Sequence, residues 1–269
     1  MTLVRLLLVL LLFGSSGMFA QTRAGRPFPL EESAFKPGEW LKFRIHYGIL
    51  NASYATLHLT SDTIEGIPVY HVVGRGRTTG FASIFFKVDD TYESYFGKRN
   101  GLPYRFIRKI DEGGYTKDIE INFDYQAGVA RYHDRKNQKK MRFEIGSSIQ
   151  DLISAFYYLR NAYDAEDLVV GESLELDMLY DDDGIFKFRL KYLGKEVLKT
   201  KFGPVECLKF RPYVQSGRVF KEEESLSLWV SNDRNKIPMR IQADLMVGSI
   251  KADLEGFNSL KHQFKIIMD

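Results

Sequence analysis

The sequence predicts a mainly β protein: an antiparallel meander forming a curved sheet or half-open barrel, with one central helix packed against its concave side. Three observations carry that expectation. Apolar residues recur with a period of two through most of the chain, turn-forming clusters separate these runs, and one stretch near the middle switches to a helical period.

Taken in order, WLKFRIHY puts Leu41, Phe43, Ile45 and Tyr47 on one face and Lys42, Arg44 and His46 on the other. In KDIEINFDY, Ile119, Ile121, Phe123 and Tyr125 alternate with Asp118, Glu120, Asn122 and Asp124. SLELDMLY, IFKFRLKY, ESLSLWV and PMRIQADL repeat the pattern. Each run can cover a core on one side and meet water on the other, which is an antiparallel signature. Reversals are expected at SDTIEGIP, GKRNGLP, DEGG, DDDG, LGKE and SNDRNKIP, where Gly, Asn, Asp and Pro favour turns. The exception is SSIQDLISAFYYLRNA. Ile149, Leu152, Ile153, Phe156 and Leu159 fall at helical spacing, and Ser148 three residues before Asp151 reads as a capping box. One apolar stripe with no second helix to meet is most simply buried against a curved sheet, which could close completely or remain a half-barrel plugged by the helix.

The start of the chain is of another kind. Arg5 precedes LLLVLLLF, then GSSG and Ala20, so residues 1–20 are expected to be a secretory signal peptide. That apolar core falls short of the roughly 18 residues a span requires, so no transmembrane span is expected after signal removal. Residues 21–34 are expected to be a flexible mature N-terminus and 35–269 a single β-rich exported domain. The expected location is periplasmic or otherwise extracytoplasmic, soluble after cleavage. With 38 Lys and Arg against 35 Asp and Glu, the charge is near balance and no nucleic-acid partner is expected. The sole cysteine, Cys207, sits in the strand-like run VECLKF and is expected to be a buried thiol.

Candidate chemistry is sparse. Asp89, Asp90 and Glu93 in KVDDTYESYF could serve a glycosidase only if two of them were held on opposite sides of a sugar bond. In a regular strand, Asp89 and Asp90 point to opposite faces. His46, His58, His71, His133 and His262 show no metal-ligand spacing. The chain has no G-x-S-x-G elbow, P-loop or dinucleotide fingerprint. GRGRTTG (74–80) has strand-like rather than helical flanks, and Asp181, Asp182 and Asp183 before Gly184 lack the rest of a calcium loop. No metal and no cofactor are expected. RYHDRKNQKKMR concentrates Arg131, Arg135, Lys136, Lys139, Lys140 and Arg142 at a hairpin tip that could meet lipid phosphates or acidic glycans, or simply be solvated. In LWVSNDRNKIP, Trp229 can bury its ring, Asp233 and Arg234 can pin a turn, and Pro238 can start an edge strand without an amide proton.

FKPGEWLKFRIHYGILNASYATL, VDDTYESYFGKRNGLPYRFIRKIDEGGY and LSLWVSNDRNKIPMRIQADLMVGSIKADL together resemble an exported bacterial family catalogued as domain of unknown function 3108, similar to YmcC-like envelope proteins. The resemblance implies a β-rich envelope protein and no assigned reaction. The leading functional expectation is a non-catalytic periplasmic or cell-envelope protein binding an envelope lipid, glycan or protein component. A carboxylate-dependent glycan hydrolase and a structural assembly protein using strand-edge contacts are the alternatives. Oligomeric state is left open.

Overall fold

A computed structural model describes residues 22–23, 32–79, 87–216, 219–221 and 226–267. The first strands are β1 (Thr22–Arg23), β2 (Trp40–Tyr47), β3 (Leu50–Ile64), β4 (Ile67–Thr78), β5 (Asp89–Gly97), β6 (Pro103–Glu112), β7 (Tyr115–Asp124), β8 (Val129–Asp134) and β9 (Lys139–Glu144). Helix α1 (Leu152–Asn161) follows. The remaining strands are β10 (Ser173–Met178), β11 (Phe186–Thr200), β12 (Gly203–Ser216), β13 (Val219–Lys221), β14 (Leu226–Ser231), β15 (Pro238–Asp244) and β16 (Ser249–Asn258). Residues 1–20, the expected signal, lie outside the described residues.

All strands join one sheet in the order β1-β10-β11-β12-β14-β15-β16-β2-β3-β4-β5-β6-β7-β8-β9, with β13 on β12. Every pairing is antiparallel except β1 on β10. Neighbours in space are mostly neighbours in sequence, as short reversals between period-two runs require. The last strand, β16, returns to β2 and joins the two halves. The sheet is curved and open rather than a closed barrel, because β9 and β10 do not pair. Between them lies a single parallel bridge from Gln150 to Met178, in which Gln150 N donates to Asp177 O at 2.9 Å and Leu179 N to Gln150 O at 2.9 Å.

α1 fills the concave side next to β3–β8. Tyr157, fully buried, meets Phe35 at 4.8 Å and Phe96 at 5.5 Å between ring centroids. Gly74 makes room for this: a Cβ there would stand 3.2 Å from a Leu57 methyl and 3.5 Å from the Ile153 terminal methyl. The cap differs from the sequence expectation. Asp151, not Ser148, is the N-cap; its Oδ1 accepts from Ile153 N and Ser154 N at 2.8 Å each, and Ser154 Oγ accepts from Asp151 N at 2.9 Å. The bridge to Met178 holds Ile149 and Gln150 extended, so the helix starts three residues later. The stripe is displaced too. Ile153, Ser154, Ala155, Tyr157, Arg160 and Asn161 are buried, whereas Leu152, Phe156 and Leu159 are only partly so. A helix enclosed from several sides buries more than one stripe.

Ser33 and Ala34, assigned by sequence to a flexible segment, are buried. Ala34 N donates to Asn161 Oδ1 at 2.8 Å, so the buried body begins ahead of Phe35.

Candidate functional site

The described strands carry a packed interior in which a space is left beyond the end of α1. α1 ends at Asn161, and the chain then turns through Tyr163 and a 3-10 turn at Ala165–Asp167 before entering β10. Beneath this turn lies a partly open cavity of about 170 Å³. Its wall is Tyr163, Leu174, Leu190, Tyr192 and Phe210, with Ser173 among them. The Phe210 ring stands 5.6 Å from Tyr163 and 5.4 Å from Tyr192, so three aromatic faces converge. Burial raises both tyrosine hydroxyls above their ordinary pKa, keeping them neutral donors. Ser173 Oγ is buried and makes no hydrogen bond among the described residues. Asp164, Asp167 and Glu172, with Ala162 and Leu168, complete the lining. The arrangement can enclose a ring or the end of an apolar chain and offer it the Ser173 hydroxyl, which is buried without a partner among the described residues. It holds no nucleophile poised beside a base.

One buried ion pair positions this corner. Arg160, in the last turn of α1, donates through Nη1 and Nη2 to Glu39 at 2.6 and 2.8 Å, through Nε to Asn235 O at 3.0 Å, and through Nη2 to Ala34 O at 3.4 Å. Both side chains are essentially inaccessible, at 3% and 0% exposure. The guanidinium also lies 5.2 Å from the Phe35 and Tyr157 ring centres. Gly38 at φ +93° makes the turn that presents Glu39, with Gly38 N donating to Leu59 O at 2.8 Å. Sequence reasoning noticed the opening PGEW and the closing SNDRN but missed Arg160, which ties them together. Its signal was a lone cation inside the apolar helical run.

The closing loop is a structural joint. Asp233 Oδ1 accepts from Ser231 Oγ at 3.0 Å, Asn235 N at 2.9 Å and Lys236 N at 3.2 Å, while Oδ2 accepts from Lys265 N at 3.3 Å. Arg234 is exposed, so the turn is pinned by Asp233 and not by the pair. Trp229 is buried, with Lys209 Nζ 4.8 Å over its ring. Pro238 does open a strand, but β15 lies between β14 and β16 and is not an edge. The missing amide falls at a bulge between Trp229 and Val230, where the ladder is already interrupted.

The three acidic residues do not converge. Asp90 is fully buried on the interior face of β5; Asp89 and Glu93 occupy the other. Asp89 accepts from Arg77 Nε at 2.9 Å, and Glu93 pairs with His71 at 3.0 Å. The opposed carboxyls a glycosidase requires are therefore not formed by this set. Asp90 instead sits with Glu112. Burial, then the Glu112 charge, pushes its pKa up to about 7, against an Asp111 N–H donating at 3.1 Å. The neighbouring Arg108 is committed to Asp181, which Lys117 also contacts at 2.6 Å. Lys139 holds Asp182 at 2.7 Å, so two of the three DDDG carboxylates serve as ion-pair partners across the opening of the sheet.

The basic hairpin is partly neutralised by its own sheet. Arg131 pairs with Asp124 at 3.0 Å, and Arg135 with Asp118 at 2.5 Å and Glu120 at 2.6 Å. Lys136 donates to Thr116. Lys140 and Arg142 are exposed on β9, the last strand of the sheet, where cations oppose addition of a further strand. His46 is buried between Gly48 O at 2.7 Å and Asp253 at 2.9 Å. Cys207 is buried and free, and burial pushes its thiol up to about 12. Among the described residues, no group of three His, Cys, Asp or Glu side chains could hold a metal ion, and no helix is long and apolar enough to cross a membrane.

Comparison with known proteins gives a family and a fold. The profile of a family described as "Protein of unknown function (DUF3108)" matches residues 42–255. No curated protein matches significantly. Among solved structures, a β-barrel-like protein of domain of unknown function DUF1849 from Brucella abortus aligns with a TM-score of 0.52 at 12% identity, covering 87% of this chain and 99% of that one. A putative lipoprotein from Parabacteroides distasonis aligns at 0.35 and 12% identity, over 84% of this chain and 98% of the other. A putative exported protein with YmcC-like fold from Bacteroides fragilis aligns at 0.31 and 8% identity, over 87% and 100%.

Proposed function

The chain belongs to the DUF3108 family, and from that premise we propose that it is a non-catalytic binding protein of the cell envelope, holding an apolar or aromatic group of an envelope lipid, glycan or protein component. The observation that carries this reading is the cavity beneath the end of α1. Its size sets the scale of what enters. A dry apolar cavity of roughly 150 Å³ takes one benzene, so about 170 Å³ takes one ring or one short stretch of chain and leaves the rest of the ligand outside. Placement in the envelope rests on the N-terminal sequence, with residues 1–20 as the export signal and the remaining body as one exported domain.

Native mass spectrometry of protein recovered gently from the envelope fraction, followed by identification of what denaturation releases, tests the reading. A stoichiometric ligand with a protruding polar part, lost on Leu190→Trp, is expected. A bare chain, or a ligand retained after the cavity is filled, overturns it.

A further inference from the structure

We propose that the paired tips of the β2–β3 and β15–β16 hairpins dock on an anionic lipid surface. This goes beyond the cavity reading and uses different residues. β2 and β15 run in the same direction, one on each side of β16, so the two reversals emerge side by side. On the first, Ile49 is 94% and Leu50 68% exposed; on the second, Met246 is fully exposed and Val247 76%. Leu245 adds a further exposed apolar side chain. Large apolar residues this bare at adjacent loop tips are uncommon on a soluble surface and mark a contact site.

The tips are held as a unit. Tyr47 Oη donates to Val247 O at 2.9 Å, which ties the base of one hairpin to the other. Gly248, at φ +71°, packs against the Tyr47 ring, where a Cβ would stand 2.9 Å from its hydroxyl oxygen. Tyr47 is itself 37% exposed, an amphipathic ring at the boundary between the apolar tips and the polar strands below.

This end of the sheet also has the charge for such a surface. β8 runs parallel to β2, so the β8–β9 tip with Lys136 and Lys140 faces the same way. At that end Asp89, Asp111, Asp118 and Asp182 are taken up by Arg77, Lys87, Arg135 and Lys139, and Asp183 and Asp244 are among the carboxylates that oppose the lysines. Shape favours a bilayer over a protein. A specific protein interface buries about 800 Å² on each partner, whereas a few side chains on two narrow reversals make small prongs. Prongs of this kind insert among headgroups, and lysines at the same end of the sheet add attraction to acidic lipid within a Debye length of the surface.

The test is co-sedimentation of protein recovered from the envelope fraction with phosphatidylglycerol/phosphatidylethanolamine vesicles and with phosphatidylcholine vesicles. Intact mass defines the N-terminus of each sample. Stronger binding to the acidic vesicles is expected, with at least a tenfold loss on the exposed double substitution Ile49→Ser/Met246→Ser and an unchanged thermal midpoint. Met246→Trp gives an independent readout: its emission should shift to the blue on adding acidic vesicles. Equal binding by wild type and double variant overturns the proposal, as does an emission that stays water-like. So does a double variant that loses only self-association or a protein partner, which would assign the tips to a second copy or to another protein. Loss of the native cavity ligand leaves this result untouched, so the two readings fail separately.

Discussion

Along the first turns of α1 the sheet is filled, whereas at its C-terminal end the same helix leaves a cavity. The filled half places Tyr157 among Phe35, Phe96 and Tyr70, with Leu59, Ile119 and Ile121 fully inaccessible around them. On the other half, Tyr163, Tyr192 and Phe210 converge without meeting a central side chain. The difference is one of direction. Gly74 lets α1 press onto β3 and β4, and the Arg160–Glu39 pair then fixes where the helix ends, so the chain beyond it bridges over β10–β12 instead of packing down. A filled half supplies stability; an incompletely filled half supplies a place for a ligand.

The largest way to break that contrast is to remove its pivot. Arg160→Met leaves the Glu39 carboxylate buried without its cation, and a loss of about 3–5 kcal/mol in urea unfolding is expected. Glu39→Leu combined with Arg160→Met should recover part of it. A double variant no more stable than the single would mean that the lost bonds to Asn235 and Ala34 matter more than the stranded charge.

A smaller change sharpens the comparison between halves. Ala130→Leu inserts bulk where Ala130 is fully inaccessible, and overpacking should cost about 1–3 kcal/mol. Leu174→Phe directs added bulk toward the cavity and should cost under about 1 kcal/mol. Equal shifts of the urea midpoint would show that the cavity is not usable space.

A further expected effect is in pH. Asp90 has a folded pKa of about 7, above its ordinary value of 3.8, so the folded state holds the proton more tightly. Its contribution is present in full below about pH 4 and is lost as pH rises towards 7. Asp90→Asn keeps a neutral group of the same shape and should remove about 2–3 kcal/mol of the stability difference between pH 5 and pH 8, measured by denaturant melts. Asp151, raised by burial to about 6, works in the same direction and remains in the variant. An unchanged pH profile would mean that the raised Asp90 pKa does not contribute to the pH dependence of stability.

Legibility in the sequence followed the range of the interaction. Ile119, Ile121 and Phe123 lie on the interior face as their alternation predicts, because a strand turns successive side chains to opposite sides whatever it pairs with. The Asp89/Asp90 separation was readable for the same reason. Arg135 could not be read as neutralised, since its carboxylates, Asp118 and Glu120, lie on β7. The shift of the helix start from Ser148 to Asp151 depends on Met178, nearly thirty residues further along the chain.

By itself, then, the sequence determined the antiparallel sheet, its reversals, the central helix and the absence of familiar catalytic motifs, all of them consequences of local periodicity and turn chemistry. Only the tertiary structure decided that the sheet stays open between β9 and β10, that Arg160 joins the opening and closing motifs, and that a cavity remains under the end of α1. Those features depend on side chains far apart in sequence meeting at a few ångströms, and no pattern within a run of neighbours encodes that distance.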